Sequence, residues 1–149
     1  MGLVIQRVLH AEVAVDGDTI GRCGKGLMVL CGVEENDTAA DVSYCIEKTA
    51  DLRIFEDDAG KMNRSVIDIG GSLLVISQFT LLGDARHGRR PSFSHAGRPE
   101  MAFPLYQMYC QGLRDRGLPV DEGRFGADMK VTLTNDGPVT MLIDSRRLF

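Results

Sequence analysis

The spacing of apolar positions along the chain predicts many short β-strands. Apolar residues form runs or alternate with polar ones, the patterns expected of strands buried on two faces or on one. The predicted strands are 4–8, 11–15, 19–23, 27–33, 52–55, 73–82, 120–125, 129–134 and 139–144. Segment 27–33 is continuously apolar with β-branched residues, so we expect it to be buried on both faces.

Two segments have helical spacing instead. Residues 36–38 (NDT) offer N-caps, and apolar positions then recur at three- and four-residue intervals through about Ala50. A second helix is predicted over 99–116, because proline suits the first turn and Gly117 suits a C-cap. Pro104 should kink this helix or delay its start. The pattern predicts an α/β protein that is rich in strands and has two main helices.

Composition is that of an ordinary globular protein. The chain has 149 residues, of which 44% are hydrophobic and 26% charged. This length supports a core without disulfides, and we expect a single domain over residues 1–149. The net charge of −4 provides no general basic field, so any contact with nucleic acid must be local.

Membrane, redox and metal motifs are not visible in the sequence. The longest apolar run, 26–33, is far shorter than the ~20 residues of a membrane helix, and Gln6 and Arg7 come too early for a signal peptide. The four cysteines lack CxxC or Cys/His spacing, so we interpret them as buried, reduced thiols of a cytosolic protein. The three histidines are scattered. We expect no metal and no cofactor.

Candidate nucleophiles lie where the strongest predicted strand ends. Ser77 and Thr80 stand there, and α/β proteins place their sites where strands open into loops. Strand alternation would put Ser77 and Phe79 on one face and Gln78 and Thr80 on the other. No GxSxG motif surrounds Ser77, and no base accompanies either hydroxyl. The residues alone therefore favour a structural role for both.

Two further segments have both a simple and a functional interpretation. The loop 83–97 carries Arg86, Arg89 and Arg90, which could bind phosphates, although composition favours a solvated surface loop. Gly137-Pro138 separates two predicted strands and is most simply a turn with a trans bond.

Several segments together resemble one family. They are SQFTLL at 77–82, NDGPVT at 135–140, IQRV at 5–8, LRIF at 52–55, GRRPSF at 88–93 and GRFGADM at 123–129. These segments, in this order and over essentially the whole chain, are similar to those of D-aminoacyl-tRNA deacylases. A related animal tRNA editor carries alanine where Phe79 stands, which indicates the D-specific branch.

The resemblance implies mixed β-sheets packed in layers with the two helices. It also implies a cytosolic homodimer that proofreads translation by hydrolysing the ester between a D-amino acid and the terminal ribose of tRNA. No cofactor, metal or membrane takes part in that reaction. On this basis we expect the protein to cleave D-aminoacyl-tRNA and glycyl-tRNA and to reject L-aminoacyl-tRNA.

The resemblance assigns roles to residues of this sequence. Ser77, Gln78, Phe79 and Thr80 would line the catalytic pocket, with backbone N–H groups near Phe79 and Thr80 facing the ester carbonyl. The substrate-binding residues would be Gly137, Pro138, Val139, Thr140, Arg7, Phe125 and Met129.

Within this second set the expected roles differ. In the family the Gly-Pro bond is cis, and the Gly137-Pro138 turn of one subunit enters the site of its partner. Carbonyl oxygens there would accept hydrogen bonds from the substrate's α-ammonium. Arg7 would brace that turn, while Phe125 and Met129 would help to enclose the terminal adenosine.

Two interpretations from other classes stay open at this point. One is a non-catalytic module that binds the acceptor end of RNA. The other is a small dimeric scaffold whose Gly-Pro turn is an interface element. Deacylation assays on charged tRNA separate the first from an enzyme, and the loss of any dependence on tRNA would favour the second.

Overall fold

The computed structural model describes residues 1–148 and shows a strand-rich α/β fold. In chain order the elements are β1 (Gly2–Val15), β2 (Asp18–Cys23), β3 (Gly26–Gly32), α1 (Ala39–Asp51), β4 (Phe55–Glu56), β5 (Met62–Arg64), β6 (Ser72–Ser77), a 3-10 helix (Phe79–Leu82), α2 (Pro99–Asp115), β7 (Val120–Glu122) and β8 (Lys130–Asp144). Strands β4 and β5 form a separate hairpin.

Strand β1 organises the main sheet because it pairs with three other strands. Its first half pairs with β3 and its second half with β2, while β8 pairs along nearly its whole length. These pairings are antiparallel, whereas β3–β6 and β6–β7 are parallel. The sheet is therefore mixed, as expected.

Successive side chains of the central strands β3 and β6 point to opposite faces of the sheet, so they contribute to two cores, one on each face. Leu27, Val29 and Leu73 belong to the core that includes the buried faces of α1 and α2. Met28 and Leu74, the alternate residues, belong to a second core with residues of β1 and β2. Both helices thus cover one face, which gives the layered packing that was expected.

The helix ends follow local sequence signals. The Asp41 carboxylate accepts hydrogen bonds from the Thr38 N–H and hydroxyl, at 2.8 and 2.9 Å. Thr38 is the N-cap, and α1 begins at Ala39. Helix α2 begins at Pro99 and continues through Pro104. The predicted delay at Pro104 is wrong: the packing of the buried α2 face outweighs the one hydrogen bond that proline cannot make.

The predicted strand 73–82 is too long. Strand β6 ends at Ser77, which pairs with Cys31. Strand β3 itself ends one residue later, at Gly32, so β6 has no neighbour with which to continue pairing. The Gln78 N–H still donates to the Cys31 carbonyl at 2.8 Å, after which the chain turns into the 3-10 helix. The alternating faces predicted for residues beyond Ser77 are therefore wrong, because the backbone there is no longer extended.

Other boundaries also differ from the prediction. Segments 4–8 and 11–15 belong to one strand, β1, and segments 129–134 and 139–144, apart from Met129, belong to one strand, β8. Of the predicted strand 52–55 only Phe55 is in β4, and the predicted strand 120–125 shrinks to β7, because only the residues of β4 and β7 find a pairing partner there. Neither helix in residues 1–148 is long and apolar enough to cross a membrane.

Candidate active site

A cleft of about 540 Å³ opens where the parallel strands β3 and β6 end. Ser77, Gln78 and Phe79 form one wall, at the junction of β6 and the 3-10 helix. Ala102 and Tyr106 on α2 belong to another. The remaining lining comes from the end of β3, from residues 96–97 and from the segment before and into β8.

The cleft brings together only part of the predicted site. Ser77, Gln78 and Phe79 line it, and so do Phe125 and Met129 from the other signature segment. The other six predicted residues do not line it; they are Thr80, Arg7, Gly137, Pro138, Val139 and Thr140.

The Thr80 hydroxyl has no base beside it in the described part of the chain. This exposed hydroxyl accepts a hydrogen bond from the Gln78 side-chain amide Nε2, which is a donor and cannot remove a proton. A nucleophilic serine or threonine needs an adjacent base. The geometry therefore offers no activated hydroxyl at Thr80.

The backbone of the same segment offers free donors. Phe79 and Thr80 are the first two residues of the 3-10 helix, whose internal bonding starts with Leu81 N–H donating to Gln78 O at 3.2 Å. Among the hydrogen bonds of residues 1–148, none uses the N–H of Phe79 or Thr80. Two adjacent N–H groups are thus available beside the cleft.

The opposite wall is aromatic and apolar. The Phe125 ring lies 5.9 Å from the Tyr106 ring and 5.0 Å from the Phe103 ring, measured between centroids. The Tyr106 hydroxyl donates to the Val75 carbonyl at 2.9 Å, and burial raises its pKa far above the ordinary value. Tyr106 is therefore a fixed, neutral wall, and a flat apolar group fits against it.

Residues 136–139 form an excursion from strand β8. Gln6 pairs with Thr140 and Val8 pairs with Asn135, so two steps along β1 correspond to five along β8. The Asn135 side chain closes the excursion: its Nδ2 donates to Val139 O at 3.1 Å, and its Oδ1 accepts from Val139 N at 3.0 Å. Strand β8 therefore pairs with β1 up to Asn135 and again from Thr140 onward.

The exposed tip of this excursion is Gly137-Pro138, whose peptide bond is cis. Gly137 has a φ of +124°, a conformation that residues with a Cβ rarely adopt. A Cβ at this position would also lie 2.9 Å from an Arg7 side-chain nitrogen. Both constraints favour glycine.

Arg7 is buried and ties the excursion to the hairpin region. Its Nε donates to the Asp136 carbonyl at 3.1 Å, and its Nη1 donates to the Ile54 carbonyl at 2.8 Å. Its Nε also lies 3.4 Å from an Asp136 carboxylate oxygen. One planar guanidinium therefore fixes two backbone segments that are far apart in sequence.

Sequence reasoning missed one wall of the cleft. Ala102 and Tyr106 are four residues apart on α2, and both are buried. Their helical spacing could have placed them on one face, but only the tertiary packing shows that this face borders the cleft.

Within the described chain no three His, Cys, Asp or Glu side chains come together as a metal site. All four cysteines are free and buried.

Comparison with known proteins identifies the family. The family described as D-Tyr-tRNA(Tyr) deacylase matches residues 4–144. The chain belongs to this family. It is therefore a deacylase, a hydrolase that acts on D-aminoacyl-tRNA, as the two signature segments predicted.

Individual relatives cover the whole deacylase chain. A D-aminoacyl-tRNA deacylase of Anaeromyxobacter dehalogenans (strain 2CP-C) is 58% identical over 149 residues, 100% of both chains. Among solved structures, the c-Myc DNA Unwinding Element Binding Protein has 38% sequence identity and a TM-score of 0.90, covering 97% of this chain and 98% of that one. A probable eukaryotic D-amino acid tRNA deacylase has 18% identity and a TM-score of 0.84, with coverages of 96% and 98%, and shows the same fold.

Proposed function

We propose that this deacylase cleaves its ester substrate in the cleft, with the backbone N–H groups of Phe79 and Thr80 as oxyanion donors. Water attacks the ester carbonyl, the tetrahedral oxyanion accepts hydrogen bonds from the two N–H groups, and the C–O bond to the ribose then breaks. The amino acid leaves as a carboxylate, one proton of the attacking water passes to the ribose oxygen, and the other is released to solvent. The observation that carries this proposal is the pair of unused N–H groups beside the cleft.

A matched pair of substitutions at one residue tests this role. Thr80→Pro removes the N–H but breaks no hydrogen bond of that N–H, whereas Thr80→Ala keeps the N–H and removes the hydroxyl, its hydrogen bond from Gln78 and one methyl group. One oxyanion donor is typically worth 10²–10³ in rate, so the proline variant should lose about that much of kcat. The alanine variant should stay within about tenfold of wild type.

The pair also separates competing mechanisms. A loss near 10⁶ for Thr80→Ala, or an acyl-enzyme trapped with substrate, would show that the hydroxyl is the nucleophile. Full activity of Thr80→Pro, with its fold verified by circular dichroism, would show that this N–H is not a donor in the reaction. Binding of charged tRNA without any hydrolysis would favour the non-catalytic module instead.

The aromatic wall suits the other end of the substrate. Phe125 and Met129 would enclose the terminal adenosine, since a purine packs well on a ring that Tyr106 and Phe103 hold in place. Gly123 supports this arrangement, because a Cβ there would lie 2.5 Å from the Met129 sulfur.

A partner subunit would complete each site. The exposed Gly137-Pro138 tip lies outside the cleft of its own chain, and Arg7 and Asn135 hold it in place. In a two-fold dimer this tip would enter the partner's cleft, with Val139 and Thr140 beside it. Its carbonyl oxygens would accept hydrogen bonds from the substrate's α-ammonium, which only donates.

Mixing two inactive variants tests the composite site. Gly137→Val forces a Cβ into a φ of +124° and should disable the tip. Thr80→Pro disables the wall. A mixed dimer would have one intact site, so a statistical mixture should recover about a quarter of wild-type sites. A fully active monomer in sedimentation and kinetics would contradict the composite site.

This arrangement would reject L-amino acids by a steric clash. With the ammonium on the Gly137-Pro138 carbonyls and the ester on the N–H pair, a D side chain would point to solvent and an L side chain into the tip. Discrimination of about 10³–10⁵ needs about 4–7 kcal/mol, which a clash with fixed backbone can supply. Glycine has no side chain, so glycyl-tRNA should also be cleaved.

Three substrates compared at one enzyme concentration test the clash. D-Tyrosyl-tRNA and glycyl-tRNA should be cleaved, and L-tyrosyl-tRNA should persist. Rapid cleavage of the L-ester, or complete inertness of the glycyl ester, would show that this account of the pocket is wrong. We further propose that residues 1–149 form one deacylase domain that works in the cytosol, where aminoacyl-tRNA is used.

A further inference from the structure

Residues 84–92 form a small hairpin, here called the arginine hairpin. Asp84 and Ser92 close its base, because each N–H donates to the other's carbonyl, at 2.7 and 2.9 Å. The residues between them, 85–91, are all exposed. The hairpin therefore presents a tip to solvent on a fixed base.

The three arginines of this hairpin have different surroundings. Arg86 donates from Nε and Nη2 to the two Asp84 carboxylate oxygens, at 2.8 and 2.6 Å, and these bonds hold the Asp84 pKa well below its usual range. Arg89 and Arg90 form no ion pair with any residue in 1–148. The hairpin thus has a local positive charge, in a chain whose net charge is −4.

The segment that follows the arginine hairpin packs along the cleft wall. The ring of Phe93 packs edge-on against Phe79 of that wall, with centroids 5.2 Å apart. Further along, Ala96 and Gly97 line the cleft, and Gly97 N–H donates to the Val33 carbonyl at 2.8 Å. The base of the arginine hairpin is therefore joined to the cleft wall through the residue next to Ser92.

We propose that Arg89 and Arg90 bind phosphate groups of the tRNA acceptor stem while the terminal adenosine occupies the cleft. This inference rests on the proposed function, which puts the 3′ end of the RNA in the cleft. The RNA strand must leave the cleft past its wall, and the Phe79–Phe93 contact joins the arginine hairpin to that wall. Guanidinium groups bind phosphates through two parallel hydrogen bonds, and Arg86 is left to stiffen the hairpin base.

Salt dependence with two substrates tests the inference. The double variant R89A/R90A removes both free cations and breaks no hydrogen bond of the hairpin. With D-tyrosyl-tRNA, the slope of log kcat/KM against log salt should become shallower by about 1.4–1.8, because each of the two lost phosphate contacts contributes about 0.7–0.9. If the variant and the wild type have equal kcat/KM at about 1 M salt, the variant's kcat/KM should be roughly 25- to 60-fold lower than that of the wild type at about 0.1 M salt. With 3′-O-D-tyrosyl-adenosine, which has no phosphate, kcat/KM should be unchanged.

A matched control removes two cations elsewhere. Arg22 and Lys25 are exposed, form no ion pair in the described chain, and lie before β3, at the end remote from the cleft. R22A/K25A should keep the wild-type slope, and R89K/R90K should recover most of it because the charge remains.

The outcomes separate this inference from the proposed function. A wild-type slope for R89A/R90A on tRNA would overturn it, and so would an equal loss on the adenosine ester or on R22A/K25A. If the wild-type protein hydrolysed neither substrate, the proposed function itself would fail.

Discussion

Arg7 should be essential both for stability and for the position of the Gly137-Pro138 tip. Arg7→Met keeps the length of the side chain and removes its donors. The Ile54 carbonyl, in a residue only 4% exposed, would lose its Nη1 donor without access to water, at a cost of about 2 kcal/mol. The Asp136 carbonyl is nearer to solvent, so the loss of its hydrogen bond from Arg7 should cost about 1 kcal/mol. We therefore expect a loss of about 3 kcal/mol, or about 6–12 °C in Tm.

Arg7→Lys separates charge from geometry. The lysine keeps the charge beside Asp136, but one ammonium cannot replace a planar fork that reaches two carbonyls. It should recover about half of the stability and less of the activity, because a displacement of about 1 Å in a positioning group can cost 10²-fold. Arg116→Ala is the control: this arginine forms an exposed ion pair with Asp51, worth at most about 1 kcal/mol.

Urea denaturation at one fixed protein concentration measures the stability, since the stability of the proposed dimer would depend on concentration. Deacylation of D-tyrosyl-tRNA, measured where every variant is folded, gives kcat/KM. Unchanged stability of Arg7→Met would contradict the hydrogen-bond argument. Lower stability with kcat/KM within threefold of wild type would contradict the role of Arg7 in positioning the tip.

Three further predictions concern the body of the fold. Tyr109→Phe should cost about 0.5–1.5 kcal/mol in urea denaturation with kcat/KM unchanged, because the buried Tyr109 hydroxyl lies 2.7 Å from the Thr49 hydroxyl; no change in stability would contradict this. Asp41→Ala removes the acceptor at the start of α1 and should cost about 0.5–2 kcal/mol by the same assay, where a neutral result would show that the cap contributes nothing. Burial raises the pKa of Cys23 from 9.0 to about 11, so the folded chain keeps a proton that the unfolded chain releases above pH 9. Stability should therefore fall between pH 9 and 11, by about 1 kcal/mol per pH unit for this thiol. Cys23→Ala should make the profile less steep but not flat, because burial also raises the pKa of the other three thiols; profiles of equal slope would contradict the assignment.

Local signals predicted the helices better than the strand ends. Pro99 and the 36–38 caps act within one turn of the chain, so the sequence contains the information needed to place both helix starts. The end of β6 depends on a neighbour instead. Segment 73–82 has a continuous strand pattern, but pairing lasts only while β3 is alongside, to Ser77. No residue within the segment marks that limit.

The site divides in the same way. The wall at 77–79 is one short segment, and a family signature can locate it. The wall formed by Ala102 and Tyr106 arises only when α2 packs on the sheet. Arg7 and Asp136 are 129 positions apart in sequence, so their contact requires the β1–β8 pairing to be known first.

The excursion at 136–139 has a consequence for motion. The β1–β8 pairing continues on both sides of it, from the Ala14–Lys130 pair to the Gly2–Asp144 pair. A segment enclosed in this way cannot swing like a free loop, because opening it requires separating the longest ladder of the sheet. The backbone amides of Leu133 and Met141, which flank it, should exchange with deuterated solvent only at the rate of large-scale unfolding. On the millisecond timescale of catalysis the Gly137-Pro138 tip would then behave as a rigid surface, and a substrate would lose little entropy in ordering it.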